Sequence, residues 1–296
     1  MDDVFRFLIA NEIKYEVDYP TFKLSSFELG GNAKIVAFPN EIQDFCNLLS
    51  FLHKNGIRFY LLGRCTNTFF SENDFDGVVI STVFLDKAFC DDNIICATCG
   101  ALITDLSLVA LKNGLSGMEF CLGIPGSVGG AVYMNAGAYG GEISDCLESA
   151  CVLTQDGTIR TLSREELSLS YRHSRLQEEE LILLSATFRC EEGIPAEIKS
   201  VMDRNMASRK EKQPLEYPSC GSAFKRPVGH FAGALIQEAG LKGFSIGGAQ
   251  VSEKHAGFVI NKGGATAEDV KALLAHVQKI VYENSGVLLE PEIQIL

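Results

Sequence analysis

The sequence lacks a surplus of basic residues and any long hydrophobic run. Its 296 residues carry 26 lysines and arginines against 38 aspartates and glutamates, a net charge of -12. Nucleic acids and anionic membranes are bound through clustered positive charge, so we expect neither as a partner. No apolar run approaches the length that spans a bilayer, and the acidic start of residues 1–16 predicts a short amphipathic helix and not a signal peptide. We therefore expect a cytoplasmic protein without membrane insertion.

The sequence also lacks the patterns that would make its ten cysteines a disulfide framework or a metal site. Disulfide-rich chains are mostly small secreted domains, so we interpret these thiols as reduced. Cys96 and Cys99 form a CxxC with Cys90 nearby, but no second CxxC and no histidine pair at ligand spacing accompany them. Residues 93–99 are typical of a strand, in which the two CxxC side chains would point to opposite faces. We expect no metal ion.

What the sequence does contain is 46% hydrophobic residues, enough to bury a large core and form two domains. Residues 34–62 predict a strand, a helix and a second strand. Strand-like runs dominate between 93 and 190, with a hairpin at Asp156–Gly157, and a helix over 191–213 is expected to link the domains. Thr266 and Asp269 resemble a capping box at the start of a C-terminal helix. We predict an α+β fold with domains over 1–194 and 195–296.

The segment 123–142 has seven glycines, three alanines and no lysine or arginine. Where side chains lack bulk, exposed backbone N–H groups can hold a diphosphate without help from a basic residue. The spacing matches neither the GxGxxG of dinucleotide-binding folds nor the GxxxxGK[ST] of P-loops. The segment predicts a site for a phosphate-bearing cofactor, and a tightly packed turn is the alternative interpretation.

Three other segments carry candidate functional side chains. Arg172 has a guanidinium that suits a carboxylate or phosphate, although a surface ion pair is the simpler interpretation. Ser222 follows a glycine and could present its hydroxyl to a ligand or serve only in a turn. Glu290 and Glu292 are two apart in a predicted strand and so share one face, which indicates either a proton-handling carboxylate or an exposed strand edge.

Basic residues concentrate between positions 209 and 226 of this acidic chain. Such a cluster would suit a multiply charged anion such as a nucleotide diphosphate. Its members are Arg209, Lys210, Lys212, Lys225 and Arg226. His255 is a candidate acid or base beyond the cluster, or else a structural histidine.

Taken in order, seven segments resemble the UDP-N-acetylenolpyruvoylglucosamine reductase (MurB) family. They extend from about Leu24 to the last residue and read KLSSFELGGNA, LGRCTNTFF, GIPGSVGGAVYMNAGAYGGE, YRHSR, PSCGSAFKRP, GLKGFSIGGAQVSEKHAGFVIN and LEPEIQIL. Seven motifs in one order make the resemblance specific. It implies an FAD-binding domain of the vanillyl-alcohol-oxidase (PCMH) type, followed by a smaller α+β substrate-binding domain whose last strand carries Glu292.

The resemblance places non-covalent FAD on two loops. The implied residues are Gly63, Arg64, Cys65, Thr66, Asn67 and Thr68 in the first loop, and Gly123, Ile124, Pro125, Gly126, Ser127, Gly129, Gly130, Asn135, Gly137 and Ala138 in the second. Family members commonly read GxGSN in the first loop, so here Cys65 stands for a glycine and Thr66 for a serine. Threonine keeps the hydroxyl, whereas cysteine changes the backbone freedom of the loop. Because the second loop is intact, we expect FAD binding to be retained.

The resemblance also implies a reaction, the NADPH-dependent reduction of UDP-N-acetylglucosamine enolpyruvate to UDP-N-acetylmuramate. This reaction belongs to peptidoglycan synthesis, and through it to cell wall biogenesis, cell shape, the cell cycle and cell division. Arg172, Ser222 and Glu292 fall on the catalytic positions. Arg172 with Glu292 would stabilise the charge that develops on the carboxylate side, and Ser222 would donate a proton to carbon. The positions near the substrate diphosphate correspond to Lys212, Lys225 and Arg226.

After Arg172 the chain lacks the extra tyrosine-bearing segment that covers the substrate in part of the family, so it resembles the shorter subtype. We expect a monomer. Two alternatives stay open: another FAD-dependent oxidoreductase of the same fold, and a non-catalytic nucleotide-binding protein. Bound flavin would argue against the second alternative. NADPH oxidation that depends on the enolpyruvyl sugar nucleotide would argue against the first.

Overall fold

A computed structural model describes residues 1–296. The helices are α1 (Asp2–Ala10), α2 (Ile42–Lys54), α3 (Ile103–Lys112), α4 (Val128–Tyr133), α5 (Ile143–Cys146), α6 (Pro195–Lys212), α7 (Ala232–Glu238) and α8 (Ala267–Ser285). The strands are β1 (Lys14–Pro20), β2 (Asn32–Phe38), β3 (Phe59–Leu62), β4 (Thr68–Phe69), β5 (Phe75–Ser81), β6 (Ala88–Asp91), β7 (Ile94–Thr98), β8 (Leu115–Ser116), β9 (Gly137–Ala138), β10 (Gly141–Glu142), β11 (Leu147–Leu153), β12 (Ile159–Ser163), β13 (Ile182–Arg189), β14 (Glu191–Glu192), β15 (Ser219–Ser222), β16 (Ser245–Ile246), β17 (Ala249–Val251), β18 (Phe258–Asn261) and β19 (Gln294–Ile295).

The chain divides into two compact units that are not continuous in sequence. The first consists of residues 1–17, 35–64 and 77–207, and the second of residues 18–34, 65–76 and 208–296. This division differs from the predicted domains over 1–194 and 195–296, because two segments of the N-terminal half belong to the second unit. The physical reason is packing: Phe27 and Phe69 are fully buried in the hydrophobic core of that unit, with ring centroids 5.2 Å apart.

A four-stranded sheet has the order β1-β2-β5-β3, with β3 and β5 parallel. It confirms the predicted strand, helix and strand, which are β2, α2 and β3. Helix α2 buries Phe45, Leu48, Leu49 and Leu52, the stripe of apolar residues that the helical period places on one face.

The first unit also contains an antiparallel sheet of order β12-β11-β13-β7-β6. Its β11–β12 hairpin closes at the predicted Asp156–Gly157 turn, where Leu153 pairs with Ile159 and Gly157 has φ of 83°. Helix α4 packs close to β13 and β7, and its buried residues Val128, Ala131 and Val132 belong to the core of this unit. The glycine-rich segment is therefore anchored in the first unit through α4, the helix in its middle.

The second unit contains an antiparallel sheet of order β15-β18-β17-β16. Helix α8 begins with the predicted capping box: the Thr266 side chain accepts from the Asp269 amide, and the Asp269 side chain accepts from the Thr266 amide. The helix ends at Gly286, which has φ of 71°. Strand β19 pairs in parallel with β4, placing Gln294 opposite Thr68. The segment before β19 is thereby held beside the end of the first predicted FAD loop.

Two sequence-based expectations about elements are wrong. The helix predicted over 191–213 begins at Pro195, because Glu191 and Glu192 pair as β14 with β8. The predicted strand through Glu290 and Glu292 is confined to Gln294–Ile295. Proline has no N–H to donate, and Pro291 between the two glutamates makes only an isolated bridge with Phe224.

All ten cysteines are free thiols. Cys96 lies in β7, and Cys99 follows that strand and is buried, which raises the pKa of its thiol to about 12. None of the helices combines the length and the apolar character that crossing a bilayer requires.

Candidate functional site

The second glycine-rich loop is held by a network of backbone hydrogen bonds in the first unit. The amides of Val128 and Gly129 donate to carbonyls of the segment before α3, at 2.8 and 2.7 Å. The Gly130 amide donates to the side chain of Ser127, which caps α4 and is buried. The amides of Gly126 and Ser127 are not used by these internal bonds. An N–H group without an internal acceptor can donate to an anion.

The remaining predicted residues of this loop lie on either side of α4. Gly123, Ile124 and Pro125 precede it, and the Gly123 amide donates to Thr104 Oγ1 at 2.7 Å. Gly137 and Ala138 form β9, which pairs with β10. The loop is therefore built as a packed turn, one of the two interpretations made from the sequence, and its role as a cofactor site stays a prediction.

Gly63 of the first loop lies against this second loop. A Cβ added at Gly63 would lie 2.2 Å from Ser127 Oγ, far closer than real Cβ atoms come to a non-bonded neighbour. The neighbouring Arg64 donates two long bonds of 3.4 Å to the carbonyls of Val83 and Gly100, while its buried Nε has no partner. A buried polar group without a partner indicates a missing ligand or water.

Cys65 explains why a glycine is usual at its position in the family motif. Its φ is 47°, in the left-handed region that a residue with a Cβ enters at a cost of about 1–2 kcal/mol. The loop nevertheless adopts this conformation, because the Cys65 carbonyl accepts from both the amide and the hydroxyl of Ser26, at 3.1 and 3.2 Å. Burial, and the nearby Cys220 thiol, raise the pKa of the Cys65 thiol to about 12, so it is a neutral packing group.

Beyond Cys65 the first loop holds the C-terminal segment in the second unit. Asn67 donates from Nδ2 to the Glu292 carbonyl at 3.1 Å, and its own carbonyl accepts from the Gln294 amide at 3.0 Å. Thr66 is half-buried, and Thr68 begins β4. The amides of Thr66 and Asn67 are not used by the internal bonds of the loop. Asn67 therefore supports Glu292 through its side chain, a role that its place in an FAD motif did not indicate.

Ser222 and Glu292 are brought together within the second unit. Ser222 ends β15, and the carbonyl of the next residue, Ala223, accepts the Glu292 amide at 2.9 Å. The position before Ser222 is Gly221, whose φ of 73° gives the strand end its turn. Both predicted catalytic side chains are half-buried. A hydroxyl and a carboxylate on adjoining segments are suited to proton transfer.

Arg172 lies at the tip of a two-residue turn in the first unit. Ser170 and His173 form an antiparallel bridge around it, with mutual amide-to-carbonyl distances of 3.1 and 3.0 Å. Arg172 has φ of 56°, and its guanidinium carbon lies 5.0 Å from the centroid of the Tyr171 ring. A tight turn with an aromatic neighbour limits the freedom of the long side chain. The turn thus fixes the backbone of Arg172, and the half-buried side chain carries its charge beside the Tyr171 ring.

The predicted diphosphate residues have different surroundings in the second unit. Lys225 Nζ lies 2.5 Å from Glu290 Oε1. Arg226 stacks over Phe231, with its guanidinium carbon 4.0 Å from the ring centroid. Lys212 is exposed at the last position of α6. The sequence analysis did not predict the ion pair of Lys225 with Glu290 or the stacking of Arg226 on Phe231. Each contact joins residues that are not adjacent in sequence.

His255 is half-buried in the second unit, and burial lowers the pKa of its imidazole below the ordinary value. Its Nδ1 accepts the Gly257 amide at 3.1 Å, and its ring packs edge-on to Phe258. Because Nδ1 accepts a hydrogen bond, the ring is neutral with its proton on Nε2. This geometry is that of a structural histidine, the second of the two interpretations made from the sequence.

Comparison with known proteins identifies the class. Residues 33–163 match the FAD binding domain, and residues 213–296 match the C-terminal domain of UDP-N-acetylenolpyruvoylglucosamine reductase. The chain is an FAD-dependent oxidoreductase, and the predicted α+β fold with an FAD-binding domain is confirmed.

Full-length relatives identify the family. A UDP-N-acetylenolpyruvoylglucosamine reductase of Caldicellulosiruptor saccharolyticus is 48% identical over 96% of this chain and 92% of its own length. One of Latilactobacillus sakei is 48% identical over 98% of this chain and 96% of its own length. The crystal structure of the Thermus caldophilus reductase (MurB) is 31% identical, with a TM-score of 0.81 over 96% of this chain and 98% of that one. The chain therefore belongs to the UDP-N-acetylenolpyruvoylglucosamine reductase family.

The residues of the two loops fit FAD on structural grounds. Within the first unit, Gly63 leaves no room for a side chain beside Ser127 as it stands. The amides of Gly126 and Ser127 make no internal hydrogen bond, and Arg64 has an unpartnered buried Nε. A diphosphate accepts hydrogen bonds from donors of these kinds.

Proposed function

We propose that this chain reduces UDP-N-acetylglucosamine enolpyruvate to UDP-N-acetylmuramate with NADPH as the reductant, in peptidoglycan precursor synthesis. The observation that carries the proposal is the match of residues 213–296 to the C-terminal domain of the reductase, in the unit where Ser222 and Glu292 lie on adjoining segments. When bound, FAD supplies the hydride chemistry that connects NADPH to the enolpyruvyl double bond. The chain itself supplies binding, charge and a proton.

Arg172 is proposed to hold the substrate carboxylate and to stabilise the negative charge that grows on that side of the molecule. A guanidinium is permanently protonated and offers two parallel donors to a carboxylate. A charge fixed in place before the reaction needs no reorganisation during it, and such electrostatic help is often the largest catalytic contribution. The position of Arg172 at the tip of a hydrogen-bonded turn supports this role.

Ser222 is proposed to donate its hydroxyl proton to the carbon next to the one that receives hydride. A serine hydroxyl is a weak acid, but an adjacent enolate is a strong base, so the transfer is feasible. Glu292 is proposed to share with Arg172 the polarisation of the enolpyruvyl group. Its backbone is fixed by Asn67 and Ala223, which supports a defined place for its carboxyl group.

We also propose that Lys212, Lys225 and Arg226 bind the substrate diphosphate. Two observations support this proposal. The three residues are positively charged in an acidic protein, and stacking on Phe231 orients the guanidinium of Arg226. Ten free thiols suit a reducing compartment, so we place the reaction in the cytoplasm, and we expect a monomer.

The test compares the two half-reactions in Ser222→Ala by stopped-flow flavin absorbance. Reduction of the flavin by NADPH should be unchanged, and reoxidation by the enolpyruvyl sugar nucleotide should slow by roughly a hundredfold or more, the usual contribution of a general acid. Ser219→Ala, at the start of the same strand, is the matched control. Equal loss in both half-reactions would contradict Ser222 as the proton donor. Absence of substrate-dependent flavin reoxidation in the unmodified enzyme would refute the proposed function itself.

A further inference from the structure

Asn135, in the second predicted FAD loop, is a fully buried polar residue that contacts the turn carrying Arg172. Its side chain has 0% exposure. Nδ2 donates to the Ser170 carbonyl at 3.1 Å, and Oδ1 accepts the Ser144 amide at 2.9 Å. The resemblance places Asn135 among the FAD residues. A side chain with no accessible surface has no atom exposed for contact with a ligand, so its function must be sought in the residues that it holds.

What Asn135 holds is the base of the Arg172 turn. The Ser170 carbonyl closes that turn by accepting the His173 amide, and it uses its second lone pair for Asn135. The bond joins residues 35 positions apart, so it fixes the turn against a different part of the unit. Asn135 also has φ of 41°, a conformation that asparagine tolerates better than most residues with a side chain.

Two further side chains fasten the same turn to the end of α4. Ser174 Oγ, fully buried, donates to the Tyr133 carbonyl at 2.7 Å. Gln177 Nε2 donates to the same carbonyl at 2.6 Å and to the Arg172 carbonyl at 3.3 Å. Helix α4 starts at the Ser127 cap of the FAD loop and ends at Tyr133. The turn is therefore attached to the element that begins at the cofactor loop.

We propose that Asn135 is a positioning residue, which sets the place of the Arg172 guanidinium through the Ser170 carbonyl and does not bind FAD. The inference rests on the proposed function, because it requires Arg172 to act on the substrate. Its physical basis is that catalysis by a fixed charge is sensitive to displacements of about 1 Å, which can cost about a hundredfold in rate. Reduction of the flavin by NADPH needs no help from Arg172 and should not respond to Asn135.

Asn135→Asp tests the proposal with the smallest change. The new carboxyl keeps an acceptor for the Ser144 amide, but it places an oxygen against the Ser170 carbonyl in place of a donor. We expect reoxidation of the flavin by substrate to slow by about 10- to 100-fold, with FAD affinity and reduction by NADPH unchanged. Lowering the pH should restore reoxidation relative to the unmodified enzyme, because a protonated carboxyl can again donate to the carbonyl. Asn113→Asp, which removes an exposed asparagine-to-carbonyl bond of 2.8 Å at the end of α3, is the matched control.

Asn135→Gly provides a second variant if the buried carboxylate prevents folding, since glycine adopts a positive φ without strain. It should show the same selective loss of reoxidation. In a double-mutant cycle with Arg172→Ala, the change at 135 should cause no additional slowing, because its effect passes through the guanidinium.

Four results would overturn the inference. Weaker FAD binding in Asn135→Asp would make Asn135 a cofactor residue after all. Equal slowing by the change at 135 with and without Arg172 would show that it acts independently. Normal reoxidation in both variants at 135, together with slow reoxidation in Arg172→Ala, would refute the positioning role alone. Normal reoxidation in Arg172→Ala itself would refute the assigned role of Arg172 in the proposed function, and the inference with it.

Discussion

The contact between the two predicted FAD loops indicates that Gly63→Ala destabilises the protein through a single atom. The backbone of Gly63 lies outside the left-handed region, so alanine meets no conformational penalty there. Its Cβ would lie 2.2 Å from Ser127 Oγ and 3.3 Å from Ser127 Cβ. To relieve this steric overlap, either the Ser127 side chain must rotate away or the two loops must separate. We expect a loss of about 1–3 kcal/mol in the free energy of unfolding, the usual cost of overpacking.

Ser127 is also the N-cap of α4. The cost of the steric overlap with Gly63→Ala can therefore be separated from the cost of losing the cap by comparing single and double variants. Ser127→Ala alone loses the hydroxyl that accepts the Gly130 amide at 3.3 Å, and should cost about 1 kcal/mol. In the double variant the 2.2 Å contact is gone and the closest remaining approach to the Ser127 side chain is 3.3 Å. The double variant should therefore be more stable than the sum of the single losses predicts, by about 1 kcal/mol or more.

The assay is urea unfolding of the flavin-free protein, followed by measurement of flavin content after reconstitution. Gly130→Ala is the control for stability, because its Cβ would approach nothing closer than Ser127 Oγ at 3.6 Å. We expect Gly63→Ala, but not Gly130→Ala, to lose stability. Additive losses in the double variant, or full stability of Gly63→Ala, would refute the contact as described.

Two further predictions concern Cys65 and His255. Cys65→Gly removes the left-handed strain of about 1–2 kcal/mol together with a small buried side chain, so its free energy of unfolding in urea should stay within about 1 kcal/mol of that of the unmodified protein. Valine is β-branched and strained at a positive φ, so Cys65→Val should lose clearly more stability. Equal stability of the two variants would contradict the left-handed assignment. For His255, burial lowers the folded-state pKa below the ordinary 6.5, so the unfolded chain binds the proton more readily and the melting temperature should fall as pH drops through and below 6.5. This acid sensitivity should be reduced in His255→Gln, and an imidazole that titrates at or above 6.5 by NMR would contradict the prediction.

The sequence predicted the features that depend on local pattern. The strand, helix and strand of residues 34–62, the Asp156–Gly157 turn and the capping box at Thr266 all follow from periodicity or from short-range hydrogen bonding, and the structure has each of them. The start of the 195–212 helix could not be read locally, because Glu191 and Glu192 are strong helix formers that instead pair with β8.

For the candidate site, residue types were visible in the sequence but their partners were not. The Cys65 substitution was recognised as unusual, yet its left-handed φ depends on Ser26, 39 positions away. Asn135 lies within a motif of small residues, and only the fold shows that its amide is buried against Ser170. The roles of Arg172, Ser222 and Glu292 remain predictions that the half-reaction experiments address.

The pairing of β19 with β4 has a consequence for how the protein is made. Asn67 and Glu292, which this pairing brings together, are 225 positions apart in sequence. During synthesis the segment around Asn67 leaves the ribosome long before its partner exists, so the pairing of β4 with β19 cannot form until almost three hundred residues have been translated. Contacts so distant in sequence form slowly and leave strand edges exposed in the meantime. We therefore expect the nascent chain to depend on chaperones until that late strand arrives.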